Sequence, residues 1–365
     1  MRVQVVDPSA FTPPYDDGLC AALAAAGADV ELVTSRFGYG SVTRSPGYRV
    51  RESFYRRQPG APGSRVRLAA KLAQHVPGML DLRRRAAEAD VVHFQWLAAQ
   101  PLDVHLLPER VPRVLTAHDV LPREPRPGAL RAQKRLYERM DAVVVHSGAG
   151  RDRLVGGLDL DPARVHVIPH GALEALTRPA QELPLPPDLA RVEGPVALFF
   201  GLIRPYKGLD VLLEAWRGVE GAELWIAGRP RMDMDRLPAL PSNVRLRTGW
   251  TPDAALPALF RRADLVVLPY REIDQSGVLF TALAFGRPLL LSAVGGFGEI
   301  AATGAAELVP PGDPAPLRAA LRRLLADPAR LAEMAAASRA AARGPYSWGA
   351  VAEQTLALYR ALGAG

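Results

Sequence analysis

Short apolar runs separated by helical stretches set the rhythm of this chain. Residues 3–6 and 30–33 read as strands flanking an Ala-rich helix over 19–26 that Gly27 closes. The stretch from Asp7 to Asp17, with Pro8, Pro13 and Pro14, reads as a loop. This is a βαβ beginning without a GxGxxG turn, which argues against a standard dinucleotide site. Between Gly47 and Lys71 the pattern dissolves into a basic stretch with aromatic residues. It is expected to be either a solvated loop and helix face or a contact surface for an acceptor or a membrane. Four further runs, at 90–96, 114–119, 142–147 and 165–171, each finish in polar or aromatic groups. Their alternation with helical segments predicts a parallel sheet whose strands end on a common edge, where ligands of such sheets bind. His93, His118, Ser147 and His170 are therefore candidates as a set, although a single histidine at a strand end is more often structural.

Residues 172–195 are rich in Pro, Glu and Ala and lack periodicity, which marks a domain boundary. The expected units are 1–175, 190–345 and a terminal helix over 346–365 that carries Val351, Leu356 and Tyr359. The second unit repeats the rhythm, with strands at 196–200, 224–228, 244–246, 265–268 and 288–292 and helices at 256–262 and 278–285. Its first strand ends at Gly201 and is followed by Arg204 and Lys207. An amphipathic helix then begins at Gly208, with Leu209, Leu212, Leu213 and Trp216 at helical spacing. Strand, cationic loop and helix start together aim backbone N–H groups and two positive side chains at one spot, which suits a phosphate or diphosphate. Asp274, Gln275, Ser276 and Gly277 form a second loop before a helix start at Val278. The stretch 293–299 is a third, with paired glycines and the carboxylate of Glu299.

Composition sharpens this picture in three places. Of 45 Lys and Arg, three are lysines (Lys71, Lys134 and Lys207), so a lysine kept inside a cationic loop stands out. At 365 residues two domains are the natural expectation. A net charge of +7 favours anionic partners. The single cysteine, Cys20, excludes an internal disulfide framework. The first residues show no signal-peptide pattern and no window has the length of a membrane span, so a cytoplasmic location is expected. Asp233 and Asp235, like Asp159 and Asp161, have a spacing that can hold a divalent cation, but two poorly placed copies suggest chance, and no metal is expected.

The motifs FFGLIRPYKGLDVLLEA, LVVLPY, QSGVLFTALAFGRP and AVGGFGEI closely resemble those of retaining glycosyltransferases of family 4, and HFQW, AHD and IPHG resemble that family's N-terminal motifs. The resemblance implies an α/β protein of the GT-B fold: two Rossmann-like domains facing a central cleft, with a C-terminal helix crossing back to the first. It implies that the second domain binds a nucleotide-diphosphate sugar as co-substrate, with no further cofactor. Arg204 and Lys207 would neutralise the diphosphate beside Gly201, and amides near Ser276 and Gly277 would hold the distal phosphate and sugar. Glu299 would lie close to these groups. His118 matches the family histidine over the transferred sugar. The acceptor side would comprise Tyr15, Asp16, His93, Gln95, Trp96, Ser147 and His170. The acceptor would be a sugar, a lipid-linked compound or a small molecule. Peripheral contact with the inner face of a membrane through residues 49–71 is a further expectation, and no nucleic-acid partner is expected.

The sequence departs from the family where a pair of glutamates spaced E-x7-E is usual, since Ile273 and Thr281 occupy those positions. A subgroup with QSGV in this loop looks like this, so variation is the reading rather than loss of activity. Thr281 could offer a hydroxyl to the ribose, and Glu272 or Asp274 could stand in beside the sugar. Leu202 takes the place of an arginine often found after the strand-ending glycine, so Arg204 must reach back. The expected enzyme is a metal-independent hexosyltransferase with front-face transfer. The alternatives are a nucleotide-sugar epimerase, an inverting transferase or a non-catalytic sugar-nucleotide-binding protein.

Overall fold

The computed structural model of the protein describes all residues except 39, 41, 43, 58, 62, 63, 98, 122–127 and 365. It divides into two units, the first Met1–Gly171 with Trp348–Gly365 and the second Ala172–Ser347.

The first unit is built on strands β1 (Arg2–Asp7), β2 (Asp29–Ser35), β3 (Arg49–Phe54), β4 (Val91–Phe94), β5 (Arg113–Thr116), β6 (Ala142–Val145) and β7 (Val165–Val167). They form one sheet in the order β3-β2-β1-β4-β5-β6-β7, and every pairing is parallel. Helices α1 (Pro13–Ala25), α2 (Arg65–Arg85), α3 (Gln100–Asp103), α4 (Ala129–Glu138) and α5 (Gly148–Leu158) connect them. Successive strand residues point to opposite faces, and both faces are covered. Val91, Val114 and Val144 pack with Leu19 and Leu23 of α1. Val92, Leu115 and Val143 pack on the other face with Met79, Leu136 and Leu154. The terminal helix lies on the α1 side, burying Val351, Leu356 and Tyr359.

Two readings of this half need correction. The stretch expected to be a loop up to Asp17 is helical from Pro13, because proline is well suited to the first helical positions, where its missing N–H is not needed. The stretch from Gly47 to Lys71 contains the edge strand β3. Its arginines hid the strand pattern, but they are matched to the acids of β2: Arg49 to Asp29 at 2.7 Å and Arg51 to Glu31 at 3.2 Å. Residues 58, 62 and 63 of that stretch lie outside the described residues.

The second unit carries β8 (Val196–Phe200), β9 (Glu223–Gly228), β10 (Val244–Thr248), β11 (Leu265–Leu268), β12 (Leu289–Ser292) and β13 (Ala306–Val309). Its helices are α6 (Pro187–Ala190), α7 (Leu209–Trp216), α8 (Leu256–Arg262), α9 (Gly277–Ala284), α10 (Phe297–Ala301), α11 (Pro314–Leu325) and α12 (Pro328–Arg343). The terminal helix of the first unit is α13 (Trp348–Ala361). Strand order is β10-β9-β8-β11-β12-β13, all parallel. This is the Rossmann order, with its direction reversing between β8 and β11. In the first unit the reversal falls between β1 and β4. Ligands of open α/β sheets bind beyond the carboxyl ends of the strands at such a reversal.

Candidate active site

In the second unit, the loops beyond β8 and β11 meet at the reversal point. Gly201 ends β8 with φ +104, and a Cβ there would lie 3.1 Å from Lys207 Nζ and 3.0 Å from Val278 Cγ2. The positive φ disfavours a side chain and the space for one is tight, so the backbone, the ammonium and the start of α9 are packed together. Lys207 is buried in the turn Pro205–Lys207, with its ammonium 5.1 Å from the centre of the Tyr270 ring. Arg204 precedes the turn and is half-buried.

Arg271, at the end of β11, clasps this turn. Its backbone N–H donates to Tyr206 O at 2.7 Å and its guanidinium to Pro205 O at 2.9 Å. The same guanidinium holds Asp210 in α7 by a bidentate pair at 2.7 and 2.9 Å, which keeps that carboxyl below its ordinary range. The segment after Leu202 is stitched to the tip of β9: Ile203 N–H donates to Arg229 O and Arg231 N–H to Ile203 O.

The second and third loops are joined as well. Gly295 has φ +51, and a Cβ there would fall 1.9 Å from Ile273 O. Gly296 N–H donates to Asp274 O at 3.3 Å. Asp274, Gln275 and Ser276 are buried, whereas Gly277 is exposed with nothing within 4 Å of its Cβ position. Gln275 Oε1 accepts from Ser276 N–H at 3.2 Å. Ser276 caps α9 by position without a side-chain cap bond, so its first turn keeps orphan N–H groups. Glu299 lies exposed in the first turn of α10.

In the first unit, the ends of β1 and β4 are bridged by aromatic contacts. Trp96 Nε1–H donates to Thr12 Oγ1 at 3.0 Å, and Trp96 stacks on His118 with ring centres 5.0 Å apart and planes 13° apart. Tyr15 is buried and makes T-shaped contacts with His118 (4.6 Å), His170 (4.7 Å) and Trp348 (5.1 Å). Burial holds the imidazoles neutral: His118 and His170 lie well below the ordinary histidine value, and His146 is held at about 4. Asp16 is fully buried beside Asp7, and burial followed by the neighbouring carboxyl raises it well above its ordinary value. Asp7 accepts instead from the backbone N–H groups of Ser9, Phe11 and Thr12 and so fixes the loop after β1.

A family model described as Glycosyltransferase Family 4 matches residues 17–172, and one described as Glycosyl transferases group 1 matches residues 194–327. A D-inositol 3-phosphate glycosyltransferase from Kineococcus radiotolerans is 30% identical over 94% of this chain and 88% of its own length. This chain belongs to the family 4-related glycosyltransferases. Its fold is GT-B, shared with sucrose-phosphate synthase from Thermosynechococcus elongatus (TM-score 0.76, 21% identity, 100% and 99% of the two chains). Anabaena HepE, solved in complex with UDP-glucose, has a TM-score of 0.73 at 18% identity, over 99% of this chain and all of its own. The protein is therefore an enzyme, and the non-catalytic alternative is set aside.

Several candidate residues of this glycosyltransferase also have partners inside their own unit. Both ring nitrogens of His93 have partners inside the unit, Tyr359 Oη at 2.6 Å and Thr116 Oγ1 at 2.8 Å, so it ties the terminal helix to the sheet. Ser147 is buried as the cap of α5, accepting from Gly150 N–H at 3.1 Å. Thr281 is buried, with its hydroxyl donating to Gly277 O at 2.8 Å. Glu272 is exposed and Ile273 buried. The two Asp-x-Asp pairs serve as local caps: Asp233 accepts from Asp235 N–H, and Asp161 from Ala163 N–H. Among the described residues, no three His, Cys, Asp or Glu side chains converge as a metal site. Arg271, Asp210 and His146 were missed. The first two lie far apart in sequence, and His146 was passed over although it also ends a strand.

Proposed function

We propose that the enzyme is a retaining hexosyltransferase that moves a sugar from a nucleotide-diphosphate sugar to an acceptor hydroxyl without a metal. The observation that carries this reading is the buried Lys207 ammonium at the β8–β11 reversal, packed against Gly201 and the start of α9. As the glycosidic bond breaks, negative charge grows on the departing diphosphate. Lys207, Arg204 and the orphan N–H groups of α9 are preorganised to meet that charge. The acceptor hydroxyl attacks the anomeric carbon on the face the diphosphate leaves. Its proton passes to the departing phosphate oxygen, so the anomeric configuration is kept and no strong enzymic base is needed.

Gln275, Ser276, Gly277 and Val278 hold the distal phosphate and sugar, with Asp274 and Glu299 on the hydroxyls. The QSGV loop, with buried Ile273 where a glutamate is usual, is an active variant. Tyr15, Asp16, Gln95, Trp96 and His170 shape the acceptor side, and His118 holds a sugar hydroxyl.

A thermal-shift screen over nucleoside diphosphates and sugar nucleotides tests the donor class. A true ligand at 100 times its Kd stabilises the protein by about 2.7 kcal/mol, and the midpoint should rise. UDP- and GDP-sugars lead the panel, because the similar HepE was solved with UDP-glucose and another similar protein is named a GDP-mannose:glycolipid 4-beta-D-mannosyltransferase. Release of nucleoside diphosphate with retention in the product separates this reading from an epimerase or an inverting transferase. A panel with no shift and no release would sink it.

Peripheral membrane contact is assigned to the start of α2 rather than to the whole basic stretch. The arginines of β3 are spent on ion pairs, whereas Val66, Leu68 and Leu72 are exposed on α2 beside Arg65 and Lys71. Co-sedimentation with vesicles containing anionic lipid should be strong at low salt and weaker at moderate salt. A double change, Leu68→Glu with Leu72→Glu, should abolish it. Absence of binding at either salt concentration would remove this assignment.

A further inference from the structure

Behind His118 runs a chain of hydrogen bonds whose direction is set by its far end. His146 Nδ1 lies 3.0 Å from Ile168 O, and His146 Nε2 lies 3.3 Å from His118 Nδ1. On its other side His118 Nε2 lies 3.1 Å from the side-chain amide of Gln95. A carbonyl oxygen only accepts, so the proton of His146 must be on Nδ1. Neutral imidazole has one N–H, which leaves His146 Nε2 as a lone pair facing His118. His118 must then carry its own proton on Nδ1, and its Nε2 becomes a lone pair in turn.

We infer that His146 is a positioning residue that holds His118 in its Nδ1–H tautomer, making Nε2 an acceptor for a substrate hydroxyl. This role rests on the transferase reading above.

Three features hold the arrangement in place. Ile168 is fixed by its own N–H donating to Val145 O at 2.9 Å. The His118 ring lies against the parallel face of Trp96 and perpendicular to the ring of Tyr15, contacts that oppose a turn-over exchanging its nitrogens. Burial keeps both imidazoles neutral, and His118, His146 and His170 stand with centres 5.1 and 5.2 Å apart, where a proton added to one would repel another.

Gln95 follows from the same logic. Its amide can face His118 with oxygen or with nitrogen, and the two have nearly the same shape. With the oxygen toward His118, two lone pairs oppose each other and the amide nitrogen is buried without a partner. Turned by half a rotation, its N–H donates to His118 Nε2. A substrate hydroxyl that displaces this amide must also donate. His118 thus selects a ligand atom bearing a proton and disfavours phosphate or carboxylate oxygens, which can only accept.

Nitrogen-15 NMR of the full chain labelled at histidine reads the tautomer directly. The His118 signals are identified by their loss in His118→Gln. At pH 7 the expected pattern is a protonated Nδ1 and an unprotonated Nε2. In His146→Phe the Nδ1 proton loses its acceptor, and His118 should move to the Nε2–H form. Turnover should fall about tenfold, the effect of one neutral hydrogen bond. In His146→Gln an amide oxygen can accept again, and both the tautomer and most of the turnover should return. A protonated Nε2 in the wild-type spectrum overturns the inference, as does a His146→Phe enzyme with unchanged tautomer or turnover. If His146→Phe does not fold, the wild-type spectrum still decides. The spectrum needs no donor, so failure of the transferase reading would be seen separately, in the ligand screen.

Discussion

Replacing Lys207 by alanine is expected to lower turnover about 10²- to 10³-fold while leaving the second unit folded. The size is that of one preorganised group removed from a developing oxyanion, about 3–4 kcal/mol. The stability cost should be much smaller. The loss in the folded state includes a cation held over the Tyr270 ring at 5.1 Å, worth roughly 0.5–2 kcal/mol. Far-UV circular dichroism and the thermal midpoint should therefore stay close to wild type while kcat falls. Arginine should not restore the rate. The ammonium lies 3.1 Å from the Cβ position of Gly201, and a planar guanidinium is too broad for that space. Arg204→Ala should cost less, because Arg204 is half-exposed and its charge is better screened. Normal turnover by Lys207→Ala with a confirmed donor would show that the diphosphate lies elsewhere.

Much of this arrangement was legible in the sequence because its parts are local. A buried strand followed by a glycine, a cationic turn and an amphipathic helix can be read in one window, as at Val196 to Trp216. The rarity of lysine in an arginine-rich chain then singled out Lys207. What stayed hidden depends on pairs distant in sequence. The clasp of Arg271 on Asp210 joins residues 61 apart, and each reads alone as an ordinary surface charge. β3 escaped notice because its arginines look like loop residues until Asp29 and Glu31 are placed beside them. The contact made by His93 was hidden for a related reason. Its partner Tyr359 is 266 residues away, and only the docking of α13 shows that its ring is already occupied. β13 was not read at all, since its central residues, Glu307 and Leu308, are only half-buried on the edge of the sheet and give a weak pattern.

Gly295→Ala is expected to damage the second unit severely for so small a substitution, affecting both stability and ligand binding. An alanine at φ +51 costs about 1–2 kcal/mol through contact of its Cβ with the backbone. The Ile273 carbonyl, 1.9 Å from that Cβ, adds an overlap that no rotamer relieves, because the obstacle is main chain. Overpacking of this kind costs roughly 1–3 kcal/mol, so the total is about 2–5 kcal/mol. Relief requires the 273–277 segment to move away, and that segment leads into α9. The thermal midpoint should drop and the shift given by a nucleoside diphosphate should shrink with it. Gly295→Asn separates the two causes. Asparagine tolerates a positive φ but has the same Cβ, so it should recover only the backbone part. Gly298→Ala is the control for stability: nothing lies within 4 Å of its Cβ position in α10, and alanine there should stabilise by about 0.5–1 kcal/mol. If Gly295→Ala melts like wild type and still responds fully to the ligand, the second and third loops are not mechanically joined, and Glu299 must act independently of Ser276 and Gly277.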